Sequence, residues 1–401
     1  MKNLKRMLAL IMSLTLLGGI VGCTKEGKEP GETEPLTRED TTATETVLET
    51  ETETESRTEA ETDAPVSPEE ARLNELLANK TKLHFDENGE FRVMVVSDLH
   101  MNNGGMDVSD LKVFKKMVAK EDPDLIIFNG DNVVDSNVKT ISNFRITLKA
   151  LTDFLERDNR YWMLVYGNHD GEIGISKEEQ QAHYESYDHC LAKAGDAEVA
   201  GVGNYVIPVY GSTPETADVV KFAVWGIDSG DYLTADEKAT LFPTGTNIFP
   251  DYGGTDYDYI RHSQIQWYIE ASDLLKANNG GEPVYGMMAF HIPLQETYLA
   301  WVNRDGLEWT GVKKEPVAAS GFNSGLYEVL RARGDVKMIV NGHDHINDFM
   351  VNYGGIKLCY SSKITTVYYH DLDILGVRMC VINESDPADV QTYMSYVKNL
   401  E

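Results

Sequence analysis

Five times along this chain a short apolar run breaks off into carboxylate, amide or imidazole side chains. Phe91–Val96 runs into Ser97-Asp98-Leu99-His100, and Leu125–Phe128 into Asn129-Gly130-Asp131-Asn132. Tyr161–Tyr166 ends in Gly167-Asn168-His169-Asp170, Val284–Phe290 in His291, and Val336–Val340 in Asn341-Gly342-His343-Asp344-His345. An apolar run of this length that stops at glycine or a polar cluster reads as a buried strand followed by a sharp turn. In an open α/β sheet, ligands bind in the crevice outside the carboxyl ends of the strands, so the five tips can converge on one site.

What lies between the tips supports that reading. Ser109–Ala119 has helical spacing with Ser109 as its cap candidate, and Ile141–Leu155 is a second helix, so the first three runs form a βαβαβ unit with a largely parallel sheet. A further helix is expected over residues 178–194. Gly203–Ile207 and Lys221–Ile227 are strands with no helix between them and so belong to a second sheet. Ser263 can cap a helix running through Trp267 and Leu275, and Gly325–Arg333 forms another that stops at Gly334. The terminal strands Ile356–Tyr360, Gly376–Ile382 and Val390–Tyr396 are expected to complete the second sheet.

The first fifth of the chain has a different character. Lys2, Lys5 and Arg6 precede an apolar run from Met7 to Leu17, shorter than the roughly 20 residues that span a bilayer, which makes residues 1–22 a signal peptide. Ile20-Val21-Gly22-Cys23 resembles a bacterial lipobox, in which Cys23 becomes the lipidated N-terminus of an exported, membrane-anchored protein. From Thr24 the chain is dominated by Glu, Thr, Pro and Ser. Such a segment cannot bury enough surface to offset its ordering entropy, so residues 23–80 read as an acidic tether, with a short helix near Glu69–Lys80, and 81–401 as the folded domain. The net charge of −29 argues against a nucleic-acid surface. Cys359 and Cys380 could form a disulfide in an exported protein or remain as two buried thiols, and the sequence does not choose.

Collected, the tips offer Asp98, His100, Asp131, Asn168, His291, His343 and His345. Hard oxygen donors mixed with imidazole, without thiolate, suit Mn, Fe, Zn or Ni. Seven ligands exceed one ion's needs and fit two, the arrangement used in phosphoester hydrolysis.

In order, Asp-x-His, Gly-Asp, Gly-Asn-His-Asp, a lone His and Gly-His-x-His resemble the signature of the calcineurin-like metallophosphoesterases. Asp228-Ser229-Gly230-Asp231-Tyr232, His291-Ile292-Pro293-Leu294, Gly321–Gly325 and Gly342–Phe349 are most similar to purple-acid-phosphatase-like proteins. The resemblance implies a four-layer α/β/β/α sandwich of two mixed sheets flanked by helices. It implies that Asp98, His100 and His345 hold one divalent or mixed-valence metal ion, that Asn168, His291 and His343 hold a second, and that Asp131 bridges them. His169 would assist catalysis without ligating, Asp170 would orient its ring, and a metal-bridging hydroxide would attack phosphorus. One departure is Val134, where true purple acid phosphatases carry tyrosine, so a coloured tyrosinate–iron pair is not expected.

The expected activity is therefore hydrolysis of a phosphorylated small molecule or other phosphoester on the outer face of the membrane. A phosphodiesterase, a nucleotide pyrophosphatase and a non-catalytic binder of a phosphorylated ligand remain the alternatives. Specificity is expected from the loops 171–203, 231–261 and 293–323, with Asp228, Asp231, His189, His262, Trp301 and Trp309 as further candidates at the rim.

Overall fold

The computed structural model describes residues 66–134, 137–242 and 256–400. The signal segment, Cys23 and the tether up to residue 65 lie outside the described residues, as do 243–255 of one expected substrate loop.

Five strands form the smaller sheet: β2 (Glu90–Val96), β3 (Leu125–Asn129), β4 (Trp162–Val165), β12 (Gly376–Asn383) and β13 (Asp386–Tyr396), in the order β13-β12-β2-β3-β4. The larger holds β1 (Leu83–His84), β5 (Tyr205–Tyr210), β6 (Val220–Gly226), β7 (Gly286–Ala289), β8 (Trp309–Thr310), β9 (Val336–Asn341), β10 (Met350–Tyr353) and β11 (Ile356–Tyr360), ordered β1-β5-β6-β7-β9-β11-β10-β8. Both sheets are mixed. β2, β3 and β4 run parallel, as do β6, β7, β9 and β11, while β12 and β13 continue the smaller sheet antiparallel.

Parallel neighbours need a crossover, and helices supply it. α2 (Val108–Glu121) and α3 (Ile141–Arg157) return the chain between β2, β3 and β4; α5 (Ala235–Leu241) and α6 (His262–Asn278) lie on the way to β7, and α7 (Gln295–Val302) and α8 (Leu326–Arg333) on the way to β9. The alternation of side chains along each strand then divides the large sheet between two cores. Ile207, Phe222, Val224, Met287, Met338 and Val340 face the small sheet, in one cluster with Val93, Ile127 and the α2 and α3 residues Phe114 and Leu148. Val206, Ala223, Trp225, Met288 and Ile339 face the other way, against Ile265, Tyr268 and Leu275 of α6 and Leu330 of α8. The result is the expected α/β/β/α sandwich. Helix α1 (Pro68–Leu77), capped by Ser67, lays Leu73, Leu76 and Leu77 on the outer cluster.

Several local expectations change. β12 pairs with β2, and β13 with β12, in the smaller sheet and not the second; only β11 goes where the sequence reading put all three. Strand alternation says which faces are buried but not which neighbour a strand takes. The helix after Ser176 is α4 (Lys177–Tyr184), short of residue 194, because the chain around Cys190 pairs with the free edge of β4 at Trp162. Asp107, not Ser109, caps α2, accepting from Ser109 N. α6 begins at His262, and the Ser263 hydroxyl instead accepts from Ala200 N. Cys190, Cys359 and Cys380 are buried free thiols.

Candidate metal centre

All five tips meet where the two sheets face each other. Asp98, His100 and Asp131 follow β2 and β3 at φ of 56°, 50° and 52°, and His343 follows β9 at 74°. Left-handed backbone is costly for a residue with a Cβ, and such residues concentrate where function demands them. Here the chain must turn sharply while aiming the side chain back over the strand end. The neighbouring glycines have the complementary task. A Cβ at Gly130 would lie 2.3 Å from His291 Nδ1, and one at Gly167 2.2 Å from Asp131 Oδ1.

The side chains converge tightly. His291 Nε2 lies 3.1 Å from Asp131 Oδ2 and 3.9 Å from Asp98 Oδ1; His100 Nε2 is 3.4 Å from Asp131 Oδ2, and His345 Nε2 3.5 Å from Asp98 Oδ1. Asp98, His100 and His345 form one group of potential metal donors, and Asp131, His291 and His343 another. Asn168 stands 1% exposed beside them.

Two observations test whether these residues suit a metal. Among the described residues, Asp98 Oδ1, Asn168 Oδ1, His291 Nε2 and His343 Nε2 are buried side-chain atoms with no hydrogen-bond partner. Orphaned polar atoms in a dry interior cost about 1–3 kcal/mol each, so four in one cluster call for an external partner. The tautomers agree. His100, His291 and His345 each place Nδ1 2.8–3.0 Å from a carbonyl oxygen, of Asp98, Asn129 and Tyr369 respectively. A carbonyl only accepts, so in His291 and His345 Nδ1 carries a proton and Nε2, the atom metal ligation uses, faces inward; at His100 the Lys363 ammonium also lies 2.7 Å from Nδ1. The donor set fits divalent metal.

Charge tells the same story. Burial disfavours ionised Asp98 and Asp131, yet the surrounding imidazoles, His291 foremost, hold both carboxyls below the usual range. His291 is lowered by burial but raised more by the Asp131 and Asp98 carboxylates, ending pushed up to about 10. Burial, with His291 beside it, pushes His343 down to about 3. Two buried anions thus demand positive charge from their surroundings.

A match to the calcineurin-like phosphoesterase family spans residues 91–347, all five tips included. The chain belongs to that family. Its relatives include two Arabidopsis thaliana proteins. One, named "Probable inactive purple acid phosphatase 29", is 30% identical over 71% of this chain and 74% of its own length. The other, "Probable inactive purple acid phosphatase 14", is 28% identical over 70% and 72%. A dimetal phosphatase from Danio rerio matches structurally with a TM-score of 0.45 and 13% identity, covering 76% of this chain and 98% of that one.

Around this phosphoesterase centre the structure corrects one expected role. Asp170 does not orient His169. Its fully buried carboxylate accepts from the N–H groups of Asn132, Val133 and Gly167 at 2.9–3.0 Å, tying two ligand loops together, and burial beside Asp131 pushes it up to about 6. The residue that holds the ring is Glu172, whose Oε2 lies 2.8 Å from His169 Nδ1. Residues 169–171 form a 3₁₀ turn, in which positions i and i+3 eclipse, so the third residue on, not the next, lies over His169. The His169 Nε2 atom then sits 4.0 Å from Asp131 Oδ2, at the edge of the cluster and one-third exposed.

Two more residues to which the motifs gave no role stand at the site. Lys363, wholly buried, donates to Asp98 O at 2.6 Å and lies 2.7 Å from His100 Nδ1; burial lowers it to about 8. Tyr232 reaches Asn168 and Glu172. The other rim candidates serve the fold. Asp228 and Asp231 bind the Lys177 ammonium at 3.2 and 2.5 Å, His189 pairs with Glu156 at 2.9 Å, and Trp301 and Trp309 pack together with Arg304 over both rings.

Proposed function

We propose that this protein hydrolyses phosphate esters with two metal ions held as the motif order implies: Asp98, His100 and His345 on one, Asn168, His291 and His343 on the other, and Asp131 shared. The observation that carries the reading is the set of four buried donor atoms without partners, all on residues two or three positions past a strand end. Bound there, divalent or mixed-valence ions of the Mn, Fe, Zn or Ni kind would supply Lewis-acid stabilisation of the phosphoryl oxygens and acidify a water.

The chain's own contribution is orientation and proton control. The carbonyl-anchored rings of His291 and His345 keep Nε2 turned inward. His169, with Nδ1–H given to Glu172, presents Nε2 toward the centre, where its proton reaches the leaving oxygen. Burial lowers that ring's proton affinity, but the Asp131 and Glu172 carboxylates raise it by more, which suits an acid.

A second reading, a binder of phosphorylated ligands without turnover, is favoured by the word "inactive" in the names of both Arabidopsis relatives. One experiment separates the two. Full-length protein with Mn²⁺ is assayed on 4-nitrophenyl phosphate and bis(4-nitrophenyl) phosphate, with Asp131→Asn as control. Turnover that disappears in the variant supports the enzyme, and the preferred ester distinguishes a monoesterase from a diesterase or nucleotide pyrophosphatase. Metal-loaded protein that binds phosphate but hydrolyses neither ester would sink the catalytic reading.

We place the protein outside the bacterial membrane on a Cys23 lipid anchor, the reading supported by the basic and apolar N-terminus and Ile20-Val21-Gly22-Cys23. Palmitate labelling that persists in Cys23→Ala would refute the anchor.

A further inference from the structure

Glu172 and Tyr232 lie outside the seven expected ligands, yet together they join a metal ligand to the acid. Asn168 Nδ2 donates to Tyr232 Oη at 2.7 Å, Tyr232 Oη donates to Glu172 Oε1 at 3.0 Å, and Glu172 Oε2 lies 2.8 Å from His169 Nδ1. The direction of each bond is dictated. A phenol has one proton, and an ionised carboxylate only accepts, so the Tyr232 proton must point to Glu172. The Tyr232 oxygen is then an acceptor toward Asn168, which must turn its NH₂ outward. The Asn168 amide is thereby left with Oδ1, its only atom able to bind a metal, facing the cluster, where it is buried without a protein partner.

We propose that Tyr232 is a positioning residue that carries the charge of Glu172 to the Asn168 amide, so that one exposed carboxylate sets both the ligating atom of Asn168 and the tautomer of His169. This rests on the two-metal reading above. With the hydroxyl gone, the Asn168 amide loses the partner that distinguishes its two ends, and an outward Oδ1 would turn an NH₂ group toward the metal.

The phenol is held for this task. Its ring stacks on Tyr257 at 5.7 Å, and Tyr257 in turn meets the His343 ring edge-on at 4.3 Å. Its backbone bridges to Tyr257, and the preceding residue, Asp231, is pinned by the partly buried Lys177. The loop of His169 passes so close that a Cβ at Gly171 would sit 2.0 Å from Asp231 Oδ2, which keeps Tyr232 and Glu172 in register.

The test is full-length Tyr232→Phe, which keeps the stacked ring, alongside Glu172→Gln. Binding of Mn²⁺ alone is followed by calorimetry, and kcat is compared on 4-nitrophenyl phosphate and on phenyl phosphate, whose leaving group needs the proton more. Tyr232→Phe is expected to weaken the second Mn²⁺ about 10–100-fold, the usual loss when a ligand's orienting partner is removed, and to leave the first unchanged. Glu172→Gln should weaken the same ion although it touches no ligand, and both variants should slow phenyl phosphate more than 4-nitrophenyl phosphate. Unchanged affinity for both ions in Tyr232→Phe, or equal weakening of both, would overturn the positioning role while leaving the two-metal reading intact. Selective loss of the second ion with no change in leaving-group dependence would overturn the link to His169. Wild-type protein that bound no Mn²⁺ would overturn the two-metal reading and this inference together.

Discussion

Buried carboxylates occur at both ends of the parallel strands, and the two ends treat them differently. Asp335, just ahead of β9 and 5% exposed, has every need met: it accepts from the Tyr268 and Ser272 hydroxyls and from Val336 N at 2.9 Å, and Arg333 lies 3.8 Å away. Asp98 and Asp131, beyond the carboxyl ends of β2 and β3, stand on left-handed backbone among imidazoles, with Asp98 Oδ1 lacking a partner. A satisfied buried acid is part of the scaffold. One left wanting, on strained backbone, is reserved for something the chain does not itself provide.

Substitution should expose that contrast. Asp131→Asn is expected to reduce turnover by at least ~10³-fold, the scale of losing one major charge-stabilising group, while the metal-free protein still folds, weakened only by the lost attraction of that carboxylate to His291 and His100. Asp335→Ala should do the reverse, losing about 3 kcal/mol in urea melts with activity per folded molecule kept within about twofold. An Asp131 variant that failed to fold would erase the distinction.

Metal removal sharpens the comparison next. Mn²⁺ at about 100 times its dissociation constant should stabilise wild type by about 2.7 kcal/mol, lost on adding EDTA, with far less change in Asp131→Asn. Asp170→Ala lies between the two classes. It strands three backbone N–H groups, so about 2 kcal/mol of stability and most activity should go together in parallel melts and assays.

The smallest effect is in pH. His169 has its proton affinity raised above the ordinary imidazole value by Asp131 and Glu172, against the opposing pull of burial, so the acid form persists to higher pH and turnover falls as pH rises through that point. Glu172→Gln removes one raising charge, and the alkaline limb of the kcat profile should move to lower pH. A limb that stayed put would detach Glu172 from the acid.

Much of the site was legible because it is local. A strand, a glycine and a ligand lie within a few residues of each other, and the tight turn at Gly130-Asp131 or Gly167-Asn168 follows from adjacency alone. The donor types, Asp, Asn and His without Cys, already pointed to a divalent metal. The helices were read from the same short-range spacing, and they went wrong at their ends, at Ser109 and beyond Tyr184, where a cap or a neighbouring strand intervenes.

Tertiary structure decided the rest. Which sheet takes β12 and β13, whether Cys359 and Cys380 join, and that Lys363 reaches Asp98 from 265 positions away are matters of distant neighbours, on which alternation and composition are silent. The exchange of Asp170 for Glu172 is the sharpest case. Adjacency favoured the first, but the 3₁₀ turn buries it under three amides and swings the second over the ring. Sequence alone determined which chemistry gathers at the strand ends, because that depends on residue type and local turn. Only the folded chain determined which atom of each ligand faces inward, because that depends on hydrogen-bond partners drawn from other loops.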